Sequence, residues 1–301
     1  MEIIKHIFKW LVITAIYLIT LMVGTAIFEA SVPPPPQEQM GAVLLGVLIT
    51  AAVDAAVIMI LIIRSRWSGL KLMGAVAFSL YGVMTFMAII EAAYFGPALG
   101  IQPEWLPGLF VSTVPAVLIT VPIAVLIMGK AKRVEDTEPN ERLMMPTRQW
   151  VWKMALIVFA YLFLYIAFGS LVAWSNPALR EMYDGGVDPE VFNPGKMILL
   201  QIIRSGLWVV FGAPVIRMTV GKPLESAVIL GLLYALPMNI VQFTPNSIMP
   251  DPSVRLSDFI ETTISNFIFG LIVFWLLHRS HSSLRDLFGF SQSLKPAVSD
   301  S

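Results

Sequence analysis

Cysteine is absent from this 301-residue chain, and charged side chains are scarce. Without cysteine the protein has no disulfide bonds, no thiolate metal ligands and no cysteine nucleophile. Charged residues make up 13% of the sequence, against roughly 25% in globular domains, while 57% are hydrophobic. A soluble domain of this length cannot bury so much apolar surface, so the composition excludes a soluble enzyme. The formal net charge of +0 lacks the basic excess of a nucleic-acid-binding protein.

The sequence also lacks the motifs that indicate familiar chemistry. It has no Walker A loop, no dinucleotide-binding glycine pattern, no HExxH pair and no GxSxG elbow. No lysine lies deep within an apolar stretch, which excludes a retinal protein. The three histidines, His6, His278 and His281, lie near the ends of apolar stretches, without the carboxylate that would complete a metal site. We therefore predict no cofactor and no metal site.

Eight apolar stretches are long enough to cross a bilayer as helices. The hydrocarbon core is about 30 Å thick and needs roughly 20 residues of helix. Proline, glycine and asparagine separate the stretches, as expected of turns. The predicted spans are Trp10–Ala30, Gly41–Ile63, Leu72–Phe95, Leu109–Met128, Val151–Trp174, Met197–Ile216, Leu224–Phe243 and Phe259–Leu277. The sequence thus predicts an all-α, polytopic integral membrane protein embedded in the lipid bilayer.

Positive charge is distributed unevenly between alternate loops. When the N-terminus is placed inside, the inner segments hold sixteen of the 20 Lys and Arg residues and the outer segments hold three. The remaining cation, Arg204, lies within a span. Short cytoplasmic loops are enriched in lysine and arginine. We therefore predict a multi-pass protein of the cell membrane with both termini in the cytoplasm.

The two halves of the chain resemble each other in the order of their features. Matching segments are Tyr17-Leu18 with Tyr161-Leu162, Asp54 with Arg204, Glu91 to Pro97 with Asn239 to Pro245, and Ser112-Thr113 with Thr262-Thr263. Four helices per copy is an even number, so both copies enter the membrane in the same direction. This predicts a 4+4 parallel repeat: one four-helix repeat over residues 1–129, a cytoplasmic linker over 130–149, a second repeat over 150–279 and a cytoplasmic tail over 280–301.

Two opposite charges lie inside the second and sixth spans. Asp54 and Arg204 occupy matching positions in the predicted repeat, each well inside its helix. Ionisable groups at membrane depth cost several kcal/mol, so they usually face a partner, a cavity or water. We expect the two to face each other across the repeat axis as one buried ion pair, which either locks the halves together or takes part in transport.

Further polar residues gather toward the predicted outer leaflet, where residues three or four apart share a helical face. They are the candidate substrate- or ion-binding residues Glu91, Tyr94, Asn239, Gln242, Glu261 and Asn266, together with Asp54 and Arg204. We expect the third, seventh and eighth spans to line a polar vestibule with them. The alternative is that these side chains only join helices by hydrogen bonds. Glu91 is the strongest candidate because a carboxyl group within the membrane binds a proton or cation.

Three functions remain open from the sequence alone. The predicted repeat and the polar spans favour a secondary transporter for an unidentified small solute, proton or cation. A non-catalytic membrane scaffold or assembly subunit would use the same residues only for packing. A lipid-modifying enzyme would use Glu91, Tyr94 or Glu261 as an acid or base. The sequence indicates no catalytic residue and no oligomeric state.

Overall fold

The computed structural model describes residues 2–28, 32–99, 101–132, 140–184, 193–246 and 248–288. Parts of the predicted linker (133–139) and tail (289–301), and the predicted end of the first span at Ala30, lie outside these ranges. Helix accounts for 82% of the structure, and the described residues form no strand. The predicted all-α class is therefore confirmed.

Eight helices are long and apolar enough to span a membrane, as predicted. They are α1 (Glu2–Phe28), α2 (Gln37–Ile63), α3 (Gly69–Gly96), α4 (Pro103–Ile127), α5 (Thr147–Leu171), α6 (Pro194–Met218), α7 (Pro223–Phe243) and α8 (Pro252–Leu277). Helix α1 begins eight residues before its predicted start because its polar first turns are also helical, with Lys5 bonded to Glu2 on one face. A short helix, Pro177–Asp184, lies between α5 and α6.

The outward faces of the bundle are apolar. Leu44 and Leu48 on α2 and Phe159, Phe163 and Ile166 on α5 are all exposed. Scattered exposed hydrophobics are ordinary on a soluble protein, but continuous bands on successive helices are not. Such a surface is suited to lipid, so the structure supports a multi-pass membrane protein.

The helices pack in matching patterns within the two halves of the chain. In the first half α1 packs against α2 and α4, and α3 packs against α4. In the second half α5 packs against α6 and α8, and α7 packs against α8. Between the halves, α2 contacts α7, while α3 contacts both α6 and α7. The four helices α2, α3, α6 and α7 therefore form the junction between the halves.

Glycines allow several of these helix pairs to approach closely. A Cβ atom built on Gly24 of α1 would lie 1.9 Å from the carbonyl oxygen of Ser112 in α4. On Gly270 of α8 it would lie 2.6 Å from Cα of Gly231 in α7. Small residues at helix crossings are a common means of association in membranes, where helices gain no hydrophobic energy by leaving lipid.

Two of the spans are interrupted. Helix α4 breaks at Thr113, two residues before Pro115, because proline cannot donate a backbone hydrogen bond. Helix α3 contains a π-helical segment, Gly82–Phe86. There the ring of Phe211 from α6 occupies the space of a Cβ on Gly82, 2.1 Å away. The π segment thus lies where α3 meets the other half.

The loops α2–α3 and α6–α7 pair with each other at the end of the bundle that carries the linker, which we call the linker end. Ser65 and Thr219 form an isolated antiparallel bridge. The amide of Arg66 donates to Met218 at 2.7 Å, and the amide of Val220 donates to Arg64 at 2.8 Å. The paired loops therefore join the two halves through their backbones.

Gly24→Ala is expected to destabilise the protein by about 1–3 kcal/mol, because the added methyl group has no room against α4. The matched control is Gly74→Ala in α3, where a Cβ would meet nothing within 4 Å. There alanine should be neutral or stabilising by its higher helix propensity. Thermal unfolding in detergent measures both, and equal midpoints for the two variants would refute this account of the α1–α4 contact.

Candidate functional site

A buried ion pair between the two halves forms the centre of the candidate site. Arg204 of α6 donates from Nη1 to Oε1 of Glu91 at 2.7 Å and from Nη2 to Oε2 at 2.6 Å. The arginine side chain is 3% exposed and the glutamate side chain 26% exposed. Two parallel bonds of this kind are the strongest geometry for a guanidinium and a carboxylate. The pair fixes α3 against α6 within the apolar part of both helices.

The guanidinium of Arg204 is held by further side chains of the second half. Nη1 also donates to Oε1 of Gln201, one turn earlier on α6, at 3.1 Å. The ring of Tyr161 lies 6.0 Å from the guanidinium carbon, at the limit of a cation–π contact. Nε of Arg204 and Nε2 of Gln201 are buried without a hydrogen-bond partner. The site therefore holds donors that the described protein groups leave unsatisfied.

A buried aromatic cluster that includes Tyr161 lies beside Arg204. The Tyr161 hydroxyl accepts a bond from Nε1 of Trp208 at 3.2 Å. The Tyr234 hydroxyl donates to the backbone carbonyl of Trp208, and the rings of Tyr161 and Phe269 lie 4.8 Å apart. Because α5, α6, α7 and α8 each contribute one member, this cluster fixes the position of Arg204 within the second half.

The π-helical segment of α3 influences the direction of Glu91. One extra residue in a turn rotates the following side chains by about 100° relative to an uninterrupted helix. Glu91 lies five residues after the segment Gly82–Phe86, on the rotated part. The ring of Phe211 packs against Phe86 at 5.5 Å, which connects the segment to α6. The same helix that carries Arg204 therefore also contacts the bend that orients its partner.

Two further carboxyl groups lie close to this ion pair. Asp258 and Glu261 of α8 are both within electrostatic range of Glu91. Asp258 accepts a hydrogen bond from Nε2 of Gln242 at 2.5 Å. Glu261 reaches α5, where a Cβ on Gly169 would lie 3.6 Å from its Oε1. The structure thus places three acidic side chains within electrostatic range of one another, and one of them is paired with an arginine. We call Glu91, Asp258, Glu261 and Arg204 the charged cluster.

The predicted polar residues divide into two groups. Glu91, Gln242 and Glu261 lie in or beside the charged cluster and remain half-buried. Asn239 is 1% exposed and donates to the carbonyl of Ala235 on its own helix at 2.7 Å. Asn266 is 7% exposed. These two amides are packed among the helices.

Tyr94 lies one turn beyond Glu91 on α3. Its ring meets Phe95 edge-on at 4.8 Å, and the residue is half-buried. Tyr94 therefore lies on the same face of α3 as Glu91, from which it is three residues away.

The expected pairing of Asp54 with Arg204 is wrong. Asp54 is fully buried and accepts a bond at 2.8 Å from the hydroxyl of Tyr17, within the first half. Its other carboxyl oxygen has no hydrogen-bond partner among the described residues. Counted back from Ser65 and Thr219, Arg204 lies four residues further from the bridge than Asp54. That is about one helical turn, so the two charges differ in register and take different partners.

Several residues of the site were not among the predicted ones. Gln201 lies three residues before Arg204 on the same helical face, a spacing that the sequence does display. Tyr161 and Trp208 gave no such signal, because aromatic residues in apolar spans resemble ordinary core residues.

Two histidines lie close together near the linker end. The rings of His278 and His281 lie 5.7 Å apart. Burial, together with the neighbouring cations Lys153 and Arg279, lowers the pKa of His281 to about 4. Within the described ranges no three His, Asp or Glu side chains are grouped to hold a metal ion.

Comparison with known proteins adds no relative. No protein family matches the sequence, and neither a curated protein nor a solved structure resembles the chain.

Substitutions at Tyr17 and Asp54 test the buried hydrogen bond between these two side chains. Tyr17→Phe removes the one hydrogen bond that the described residues make to the Asp54 carboxyl and is expected to cost about 1–3 kcal/mol of stability. Asp54→Asn keeps an acceptor for the tyrosine and should cost less than about 1 kcal/mol. Urea or thermal unfolding in detergent measures both. If Asp54 were the counter-charge of Arg204, Asp54→Asn would instead cost about 3–5 kcal/mol.

Proposed function

We propose that this protein is a secondary transporter for a small solute or ion, with proton or cation binding at the charged cluster as part of its cycle. The observation that carries the proposal is an excess of carboxyl groups over basic partners. Three carboxyl groups lie together, and Arg204 alone among the described basic side chains forms an ion pair with any of them. Unneutralised charge in a membrane is costly, so the remaining carboxyl groups favour a bound proton or cation.

The arrangement also supports a conformational cycle. Glu91 belongs to the first half of the chain, whereas Arg204, Asp258 and Glu261 belong to the second. A cation or proton that competes with Arg204 for Glu91 weakens the contact between α3 and α6 in the same step. Binding at the cluster is thereby coupled to the relative position of the halves, as secondary transport requires.

We further propose that the two halves form a 4+4 parallel repeat about an axis along the membrane normal. The matching helix contacts support it, since each pair in the first half has its counterpart in the second. The paired loops add support, because the bonds Arg66–Met218 and Val220–Arg64 exchange under a twofold rotation. In that register Asp54 corresponds to Trp208, and both bond to the tyrosine of the preceding helix, Tyr17 or Tyr161.

The proposed orientation follows from the distribution of lysine and arginine. The linker end carries the paired loops and the linker, where the basic residues concentrate. By the positive-inside rule this end, with both termini, faces the cytoplasm of a cell membrane. The charged cluster then lies toward the opposite leaflet.

A non-catalytic scaffold is the second candidate. Arg204 and Asn239 are almost fully buried, and a purely structural ion pair between helices also requires such burial. The scaffold and the transporter make opposite predictions for ion movement, so one assay separates them.

Proton movement in proteoliposomes tests the transporter. The purified protein is reconstituted with the pH-sensitive dye pyranine inside, and sodium, potassium, guanidinium, choline or tetraethylammonium chloride is added outside. We expect at least one cation to change the internal pH faster than in protein-free liposomes. Glu261→Gln, which removes one acidic group of the charged cluster, should reduce that rate about tenfold or more.

The matched control is Glu38→Gln, which removes an exposed carboxyl group outside the charged cluster. It should leave the rate unchanged. If no cation moves protons in the unaltered protein, or if Glu261→Gln matches Glu38→Gln, the scaffold is the better account.

A further inference from the structure

We propose that the paired loops α2–α3 and α6–α7 form a gate at the linker end, closed in this structure and latched by Lys130 and Arg142. The inference rests on the proposed transport function for its purpose, but not for its test. The moving part is the pair of loops, and the two positioning residues, Lys130 and Arg142, lie outside the charged cluster.

The backbone contact that closes the gate is small. Two hydrogen bonds, Arg66–Met218 and Val220–Arg64, flank the bridge residues Ser65 and Thr219. A single such bond contributes only about 0.5–1.5 kcal/mol in net terms. The bridge residues are nevertheless almost inaccessible, with 4% of Ser65 and 2% of Thr219 exposed. Two backbone hydrogen bonds thus hold together a pair of loops whose bridge residues are buried.

Two cations donate to corresponding positions on the two loops. Lys130, which follows α4, donates from Nζ to the carbonyl of Ser65 at 2.5 Å and to that of Ile63 at 3.3 Å. Arg142 of the linker donates from Nη1 to the carbonyl of Thr219 at 2.5 Å and to that of Ile216 at 3.2 Å. Each bridge residue therefore receives one cation on its own carbonyl oxygen.

These latches are reversible by their chemistry. Lys130 and Arg142 bind backbone carbonyls, and Arg142 also contacts Thr219 Oγ1 at 2.8 Å. Neither cation forms an ion pair with a carboxylate of the described residues. Burial lowers the pKa of Lys130, and burial together with the nearby Arg66 lowers the pKa of Arg142. Both cations are therefore held at an electrostatic cost, which makes release easier than from a buried ion pair.

Glycines beside the loops provide hinge positions. Gly69 and Gly221 have φ of 60° and 109°, and Gly129, just before Lys130, has φ of 79°. Such backbone angles favour glycine, which also changes conformation readily. One hinge thus lies next to each loop and one next to a latch. An exposed ion pair between Arg64 and Glu225 also joins the two sides of the gate.

Thiol labelling tests the gate without a known substrate. Because the chain contains no cysteine, Ser65→Cys places a single reporter beneath the closed gate. Labelling by a water-soluble maleimide is followed in proteoliposomes, alone and combined with Arg142→Gln or Lys130→Gln. We expect either latch variant to raise the labelling rate about tenfold or more, because it increases the open population.

Matched controls separate gate opening from general loosening. Arg148→Gln removes an exposed arginine of the same region that does not touch the loops and should leave the rate unchanged. Ser79→Cys, fully buried in α3, should stay unlabelled in every variant. The proposal of a gate is wrong if the Ser65→Cys thiol is labelled equally fast in combination with Arg142→Gln, Lys130→Gln and Arg148→Gln. The loops would then be a static connection.

Hydrogen exchange on the unaltered protein tests gate opening even if a latch variant does not fold. The amides of Arg66 and Val220 should exchange within minutes in lipid nanodiscs, much faster than amides in the middle of α2. Equal protection of the loop amides and the α2 amides would contradict an opening gate.

A disulfide distinguishes failure of the gate from failure of the proposed function. Ser65 and Thr219 form a non-hydrogen-bonded antiparallel pair, whose Cα atoms lie about 4.5 Å apart, within the range of a disulfide. In Ser65→Cys/Thr219→Cys, oxidation should abolish cation-driven proton movement and reductant should restore it. Transport that persists with the disulfide formed overturns the gate alone. Labelling that responds to the latches in a protein without transport overturns the proposed function alone.

Discussion

A charged side chain inside a bilayer requires a partner, and the ion pair of Arg204 with Glu91 meets this requirement by joining the two halves of the protein. Among the described residues, neither side chain forms an ion pair within its own half. The contact between α3 and α6 is therefore more than shape complementarity. Each half supplies the ion-pair partner of a charge that the other half carries inside the membrane.

Several features of the fold support this pair. The aromatic cluster around Trp208 holds α6 within its own half, and the π segment of α3 turns the helix that carries Glu91. Close glycine contacts keep each four-helix group compact, as at Gly24 and Gly270. The halves are thus well packed internally and meet through α2, α3, α6 and α7.

Much of the fold was predictable because bilayer length and hydropathy act on every residue of a span. The eight helices follow from that rule, and Glu91 was identified since a carboxyl group at membrane depth requires explanation. The partner of Arg204 was not predictable. Asp54 and Arg204 looked equivalent in sequence, but a shift of one helical turn in register separates them. The π turn at Gly82 has no clear sequence signature, and it contributes to the direction of Glu91.

The central claim is that Glu91 and Arg204 neutralise each other across the two halves, and a double-mutant cycle tests it most directly. The unfolding free energies of Glu91→Gln, Arg204→Gln and the double variant are compared with that of the unaltered protein in the same detergent. We predict that each single change costs about 3–5 kcal/mol, because it leaves a buried charge unpaired. The double variant should then cost at least about 1 kcal/mol less than the two single costs added together. Strictly additive costs would contradict the account, since they would mean that the two side chains do not depend on each other.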